Sequence, residues 1–253
     1  TCMSELYSWR DCTEFDIETV KQLYRKYISK SQTSLFSPFG FGNTVARTAE
    51  GMHITTAEGK QILDFTGGVG VLNHGHNNPR ILRARSEFQS NHFVEVHKNY
   101  LSEYLAGLSH NIAQLLPEDL NISYFCNSGA EAVEGAMKLA YKYHEGKRNY
   151  VLHSDISFHG KLHAAAGVTG SPELHFRFPT IPNIRSYKYN DIESIKGHIS
   201  ALKDSRGNSD IYAVLLEPFS ASSLLECSSH FLKELREICT RNDIVLIFDE
   251  VYS

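Results

Sequence analysis

Three apolar runs in this chain end on residues able to do chemistry, and a fourth cluster opens a helical pattern. Phe158, His159, Gly160 and Lys161 follow the run at residues 150–153, Glu217 and Pro218 follow 211–216, and Asp249 follows 244–248. In an open α/β sheet, ligands gather outside the carboxyl ends of the strands, so a carboxylate or aromatic just past such an end is placed to meet one. Asp249 can serve there as a magnesium ligand in a nucleotide site or as the partner of a protonated ring nitrogen. The phosphate-loop pattern of glycines followed by lysine and serine or threonine is absent, which favours the ring nitrogen. Phe158 can stack on a flat ring, an arrangement worth about 0.5–1.5 kcal/mol beyond the buried area, and Gly160 lets backbone approach closely. Taken singly, a phenylalanine in that place is more often an ordinary core residue.

The fourth cluster is Ser128, Gly129 and Ala130, ahead of a pattern in which Ala132, Val133, Ala136, Met137 and Ala140 share one helix face. Glu134, Lys138 and Lys142 lie one turn apart on the other face and are expected to point to solvent. Small residues at the helix start expose the first N–H groups at the positive end of the dipole, a setting that holds phosphate. The dipole contributes up to ~2 kcal/mol there, and each charge-assisted hydrogen bond about 1.5–3 kcal/mol. The alternative reading of this segment is a plain serine cap.

The elements that must position these clusters show as alternation. Expected strands at 122–125, 150–153, 185–189, 211–216 and 244–248 take turns with helices. One helix begins near Ala130, a second turns Ile192, Ile195, Ile199 and Leu202 inward, and a third carries Phe231, Leu232, Leu235 and Ile238. Such a series predicts an α/β domain with a mostly parallel sheet and helices on both faces. Ahead of it, Asp16 caps a helix carrying Ile17, Val20, Leu23, Tyr24 and Tyr27. Two β-rich runs between Met52 and Phe65 flank Glu58, Gly59 and Lys60 as a hairpin. Residues 1–65 are expected to form an N-terminal segment of a small domain, and residues 66–253 the first part of a larger one. The last strand needs neighbours and cover on both faces, and the first residue is Thr1, so the chain is expected to be part of a longer protein.

Bulk properties narrow the partner. With 253 residues, a net charge of −4 and 42% hydrophobic residues, the chain suits a soluble globular protein with a sizeable core. No apolar run approaches the ~20 residues of a membrane helix and no leader pattern opens the chain, so a cytoplasmic location is expected. The mildly acidic balance, without a basic stripe, disfavours nucleic acid and favours a small-molecule partner. Five cysteines, at 2, 12, 126, 227 and 239, lack paired short spacings and are expected to be reduced thiols. Thirteen histidines include His74 and His76, but no helical pair with a third ligand accompanies them, so no metal site is expected.

In this order and at these separations, the four clusters resemble the class III pyridoxal-phosphate aminotransferases of fold type I, over nearly the whole chain from the hairpin to Tyr252. Gly67, Gly68, Gly70, Asn73, Gly75, His76 and Pro79 resemble that family's glycine-rich segment bordering the active site near the dimer interface. The resemblance implies pyridoxal 5'-phosphate as cofactor, with Ser128, Gly129 and Ala130 at its phosphate, Phe158 stacked on its pyridine ring and Asp249 at the ring nitrogen. Val251 would pack on the opposite ring face, with His159 and Glu217 completing the wall. A carboxylate beside the ring nitrogen keeps it protonated, and the cation withdraws electrons from the substrate carbanion. The implied activity moves an amino group from an amino acid or ω-amine to a 2-oxo acid, in a homodimer. In the family the Schiff-base lysine lies a few tens of residues past the aspartate, so it is expected beyond Ser253. Lys161, in the aromatic loop, and Lys138, on the solvent stripe, do not replace it. No catalytic residue is therefore expected within the chain, and this segment alone is expected to be inactive.

Two departures from the family pattern stand out. Position 252 is usually a glutamine that contacts the ring's phenolic oxygen, and Tyr252 brings instead a hydroxyl that can donate to the same atom. Past Glu217 and Pro218, many members acting on terminal amines carry glutamine, glycine and a second glutamate, where this chain has Ser220, Ala221 and Ser222. Two alternatives follow: an aminomutase, racemase or decarboxylase on the same scaffold, and a non-catalytic binding or regulatory protein on a truncated copy of the fold.

Overall fold

The computed structural model describes residues 6–35, 38, 40–95, 99–117, 119–170 and 179–253. The chain divides into two compact units, Thr1–Tyr100 and Leu101–Ser253.

The first unit opens with α1 (Trp9–Thr13), α2 (Ile17–Tyr27) and α3 (Gln32–Leu35). Asp16 caps α2 as expected, its carboxylate accepting the Thr19 N–H at 2.8 Å. An antiparallel meander follows, β1 (Ala46–Glu50), β2 (His53–Thr56) and β3 (Gln61–Leu63), in that order. β2 and β3 are the expected hairpin, and β1 adds a strand the sequence reading did not single out. Next come the single turn α4 (Gly67–Gly70) and α5 (Pro79–Ser90). Gly67, Gly68, Val69 and Gly70 all have positive φ, a left-handed path that needs the glycines and costs Val69 roughly 1–2 kcal/mol. Gly75, at φ +79°, lets this segment approach the meander, since a Cβ there would lie 3.0 Å from the Gly51 carbonyl oxygen. His76 pairs its backbone with Gly51, and its Nε2 lies 2.8 Å from Asp64 Oδ2. These contacts keep the residues after 65 with the hairpin, and the first compact unit runs to Tyr100. Among the described residues, no group of three His, Cys, Asp or Glu side chains could hold a metal ion, and no helix is long and apolar enough to cross a membrane.

The second unit contains α6 (Glu103–Leu115), α7 (Gly129–Tyr143), β4 (Tyr150–Ser154), α8 (His163–Gly167), β5 (Ile184–Tyr187) and α9 (Ile192–Ala201). It continues with β6 (Ile211–Leu216), β7 (Phe219–Ser220), β8 (Leu225–Glu226), α10 (Ser229–Arg241) and β9 (Val245–Phe248). Four strands form a parallel sheet in the order β5-β4-β6-β9, while β7 and β8 form a separate short hairpin. All six residues of β6 are buried, which accounts for its unbroken apolar run. Alternation along the strands splits the core between two faces. Leu152, Val214 and Leu216 pack with Ile195 of α9 and with Phe231, Leu235 and Cys239 of α10. Val151, Ala213 and Leu215 pack with Val133, Met137 and Ala140 of α7 and with Ala164 and Ala165 of α8. The α/β architecture with helices on both faces is therefore as expected.

One expected strand is absent. Residues 122–125 join no ladder, and Ile122 and Tyr124 are exposed. The Tyr124 ring lies along α7, where a Cβ on Gly135 would come within 3.1 Å of it. β-propensity measures fit to a pleated, half-buried surface, and among the described residues no strand lies beside this run to supply one. Cys12 and Cys126 are exposed free thiols, and Cys227 and Cys239 are buried ones, with burial pushing Cys239 up to about 12. Cys2 lies outside the described residues.

At the amino ends of the strands, Arg148 donates to the carbonyls of Ile211, Asn242 and Asp243 and pairs with the Asp243 carboxylate at 2.9 Å. His144 is buried beside it, and its pKa lies below the ordinary value because of desolvation first and the Arg148 charge second. The folded chain therefore holds fewer protons at this site than the unfolded chain, whose histidine titrates near ~6.5. Stability should be full above about that pH and fall as acidification proceeds towards the lower folded value. Urea unfolding of the wild type and His144→Gln at about pH 7.5 and about pH 5.5 checks this, because the variant should lose part of the acid-side decline. An identical decline in both proteins would exclude His144 as its source.

Candidate functional site

The strand order reverses direction between β4 and β6, the topological switch point at which open α/β sheets form a crevice. Across that point the Phe158 N–H donates to Glu217 Oε2 at 2.8 Å. Glu217 is buried, and its Oε1 accepts the Ala221 N–H at 3.4 Å. Burial pushes its carboxyl above the ordinary value, against the opposing pull of the Phe158 N–H and of His159. One side chain thus ties the aromatic loop after β4 to the segment after β6. Phe158 enters this arrangement through its backbone, with its ring half-buried.

His159 Nδ1 lies 2.7 Å from Asp249 Oδ2, with the two side chains 0% and 6% exposed. An ionised carboxylate only accepts, so the imidazole donates. Asp249 continues the β6–β9 ladder through its N–H to the Leu216 carbonyl at 2.9 Å, and its Oδ1 accepts the Val251 N–H at 3.2 Å. The carboxylate is held from two sides and retains lone pairs for a further donor. His159 Nε2 is buried with no hydrogen-bond partner among the described residues. The His159 N–H donates to Thr169 Oγ1 at 3.0 Å, and that hydroxyl donates to the Ala165 carbonyl at 3.0 Å. Sequence reasoning missed Thr169, because a lone threonine past a short helix carries no local signal.

At the start of α7, Ser128 Oγ accepts the Glu131 N–H at 3.2 Å, and the Glu131 carboxylate accepts the Asn127 N–H at 2.6 Å. Ser128 is thus a cap, and helix geometry leaves the N–H groups of Gly129 and Ala130 without an intrahelical acceptor. A Cβ on Gly129 would lie 3.1 Å from Val251 Cγ2. Gly160 sits at φ +116°, and a Cβ there would lie 2.5 Å from that of Ala130. Close approach therefore fixes the small residue types at 129, 130 and 160. Eight of the nine residues singled out for the site form one connected group: Ser128, Gly129, Ala130, Phe158, His159, Glu217, Asp249 and Val251. Tyr252 follows Val251 but makes no hydrogen bond or ring contact among the described residues, and it is 37% exposed.

One reading of α7 needs correction. Glu134, expected on the solvent stripe, turns inward, and its Oε1 accepts the N–H groups of Ala164 at 2.7 Å and Ala165 at 3.2 Å. Its partners are thirty residues away in sequence, beyond the reach of one-turn spacing rules. Lys138 and Lys142 are exposed, as expected, and so is Lys161.

The geometry suits a flat, nitrogen-containing ring with an anionic tail. The first N–H groups of α7 have no intrahelical acceptor, a buried carboxylate stands past β9, and an aromatic loop closes over α7 through Gly160. The class-III aminotransferase family matches residues 40–253, and the chain belongs to that family, whose members depend on pyridoxal phosphate. It is 34% identical over 228 residues to the acetylornithine aminotransferase of Clostridium acetobutylicum, covering 87% of this chain and 56% of that protein. It is 35% identical over 210 residues to the succinylornithine transaminase of Salmonella typhimurium, covering 81% and 49%. An amine transaminase from an uncultivated Pseudomonas species, solved with pyridoxal phosphate bound, shares the fold at a TM-score of 0.73 and 21% identity, over 85% of this chain and 54% of that one. The chain spans about half the length of the curated relatives it matches.

The contact between the aromatic loop and α7 is the most demanding feature of this geometry. Gly160→Ala should destabilise the fold by about 2 kcal/mol or more, through its positive φ and the collision with Ala130. Gly197→Ala, on a helix with open space around it, should be neutral or stabilising by up to ~1 kcal/mol. Denaturant midpoints of the two variants provide the comparison, and equal midpoints would contradict the close approach.

Proposed function

We propose that this chain contributes the phosphate, ring-nitrogen and ring-face contacts of a pyridoxal-phosphate aminotransferase that moves an amino group from an amino acid or ω-amine to a 2-oxo acid. The observation that carries this reading is the buried His159–Asp249 pair past β9, joined to the start of α7 through Val251 and Gly129. When bound, the cofactor supplies an electron sink for the substrate carbanion.

The chain's own residues do the rest. The N–H groups of Gly129 and Ala130, with the α7 dipole behind them, hold the phosphate, and the Ser128 cap fixes where they point. Phe158 covers one ring face and Val251 the other. Asp249 holds a proton on the ring nitrogen, because removing that proton would leave a buried carboxylate without its counter-charge. His159 keeps the carboxylate turned to this task by donating to Oδ2. Glu217 anchors the Phe158 loop, and the Tyr252 hydroxyl donates to the ring's phenolic oxygen. The Schiff-base lysine lies past Ser253. Lys161 and Lys138 do not replace it, since one belongs to the aromatic loop and the other to the exposed face of α7.

The relatives carry acetylornithine and succinylornithine in their names, which makes an acylated ornithine the first amino donor to assay. A cytoplasmic homodimer completes the proposal, supported by family resemblance and by free thiols at Cys12, Cys126, Cys227 and Cys239. Full-length protein incubated with pyridoxal 5'-phosphate and reduced with borohydride should yield a pyridoxyl-lysine peptide from beyond residue 253, and its absence ends the reading. Asp249→Asn should lower kcat by roughly 10²–10³-fold, the usual loss on removing a preorganised charge contact. Transfer to an added 2-oxo acid separates an aminotransferase from a racemase, mutase or decarboxylase on this scaffold.

A further inference from the structure

On the reading that this site holds pyridoxal phosphate, we propose that Glu134 is a positioning residue: it clamps the ring-facing loop onto the helix that binds the phosphate. Glu134 lies in the second turn of α7. A glutamate on an open helix face loses nothing by staying in water, yet this one accepts two backbone N–H groups, from Ala164 and Ala165. These belong to the first turn of α8, where N–H groups have no intrahelical acceptor. The residue capping α8 is Leu162, whose side chain accepts nothing, so the acceptor comes from α7 instead. The carboxylate is balanced by aligned backbone N–H groups, while Lys138, one turn further on, stays exposed.

The loop carrying Phe158 and His159 runs straight into α8, so fixing the start of α8 fixes the end of the loop. From there a chain of contacts leads to the site. The Ala165 carbonyl accepts from Thr169 Oγ1, Thr169 Oγ1 accepts the His159 N–H, and His159 donates to Asp249. Gly160 meets Ala130 at a distance that leaves no room for a side chain, a contact that needs the loop held against α7. One helix therefore serves both ends of the ligand. Its first turn meets the anionic tail, and its second turn, through Glu134, sets the height of the loop over the ring.

The test uses the full-length protein with Glu134→Ala and Glu134→Gln, whose amide oxygen still accepts. In the cofactor-free protein, amide hydrogen exchange at residues 158–165 should quicken about tenfold or more in the alanine variant and be rescued by glutamine. With pyridoxal 5'-phosphate added, the visible circular dichroism of the bound ring should weaken in the alanine variant, while affinity for inorganic phosphate alone stays at the wild-type value. Unchanged exchange and dichroism would overturn the proposal. So would a parallel loss of phosphate affinity, which would make Glu134 a support of α7 as a whole. No dichroic band in the wild type would instead sink the cofactor reading on which the proposal rests. Should the alanine variant not fold, Glu134→Asp, one methylene too short to reach both N–H groups, takes its place with the same expectations.

Discussion

The in-register parallel pairing of β4, β6 and β9 is the constraint on which the second unit depends. Leu215 stands beside both His153 and Ile247, and Leu216 beside Phe248, so the three strands finish at nearly one level. Parallel strands carry their connections on the faces of the sheet, which leaves the carboxyl edge free for whatever follows each strand. Glu217 and Asp249 are the next residues after two of those ends, and the Phe158 loop follows the third. A slip of one residue in β9 would turn Asp249 to the opposite face and dissolve the pair with His159. The apolar character of β6 thus bears on the chemistry indirectly, because the two cores it separates hold that register.

Gathering polar groups at a buried edge is costly unless each finds a partner. Glu217 illustrates the balance: burial raises its pKa, while the Phe158 N–H and His159 act in the other direction. His159 and Asp249 offset each other's burial through a short contact, and the remaining ring nitrogen of His159 has no partner among the described residues. Such a group costs on the order of 1–3 kcal/mol if left unpaired. This part of the unit therefore holds free energy that a bound ligand or further packing can release, and the buried Nε2 of His144, beside Arg148 at the opposite end of the strands, is likewise without a partner among the described residues.

What could be read from sequence divides along a physical line. Helical periodicity revealed α7, α9 and α10, because each buries one stripe, short apolar runs revealed β4, β6 and β9, and strand ends followed by carboxylates marked Glu217 and Asp249. Residues 122–125 have the composition of a strand but no neighbouring strand among the described residues, and no local pattern reports on a neighbour. Glu134 matched the spacing of a solvent-facing stripe as well as any exposed residue, since its true partners lie in α8. Thr169 was hidden for the same reason. Gly160 was noted for close approach, but only the structure identifies the atom it approaches as the Cβ of Ala130.

These outcomes suggest how constraint is distributed around the site. Contacts near α7 are made by backbone atoms and by residues too small to vary: Gly129 under Val251, Ala130 under Gly160, and paired N–H groups on Glu134. A Cβ added at Gly129 or Gly160 would lie 3.1 Å from Val251 and 2.5 Å from Ala130, respectively, so that end of the site tolerates little change. The β7–β8 hairpin beyond Glu217 is built differently. Ser220 is buried and its Oγ lies 3.2 Å from that of Ser222, whereas Leu224 and Leu225 at the turn are exposed and fixed by no such close approach. Side chains can be exchanged at such a turn without disturbing the sheet register, because the hairpin is fastened at its base by Glu217 and by the Tyr189 hydroxyl on the Leu225 carbonyl. Ser220, Ala221 and Ser222 fall in or beside this hairpin, away from the close approaches around α7.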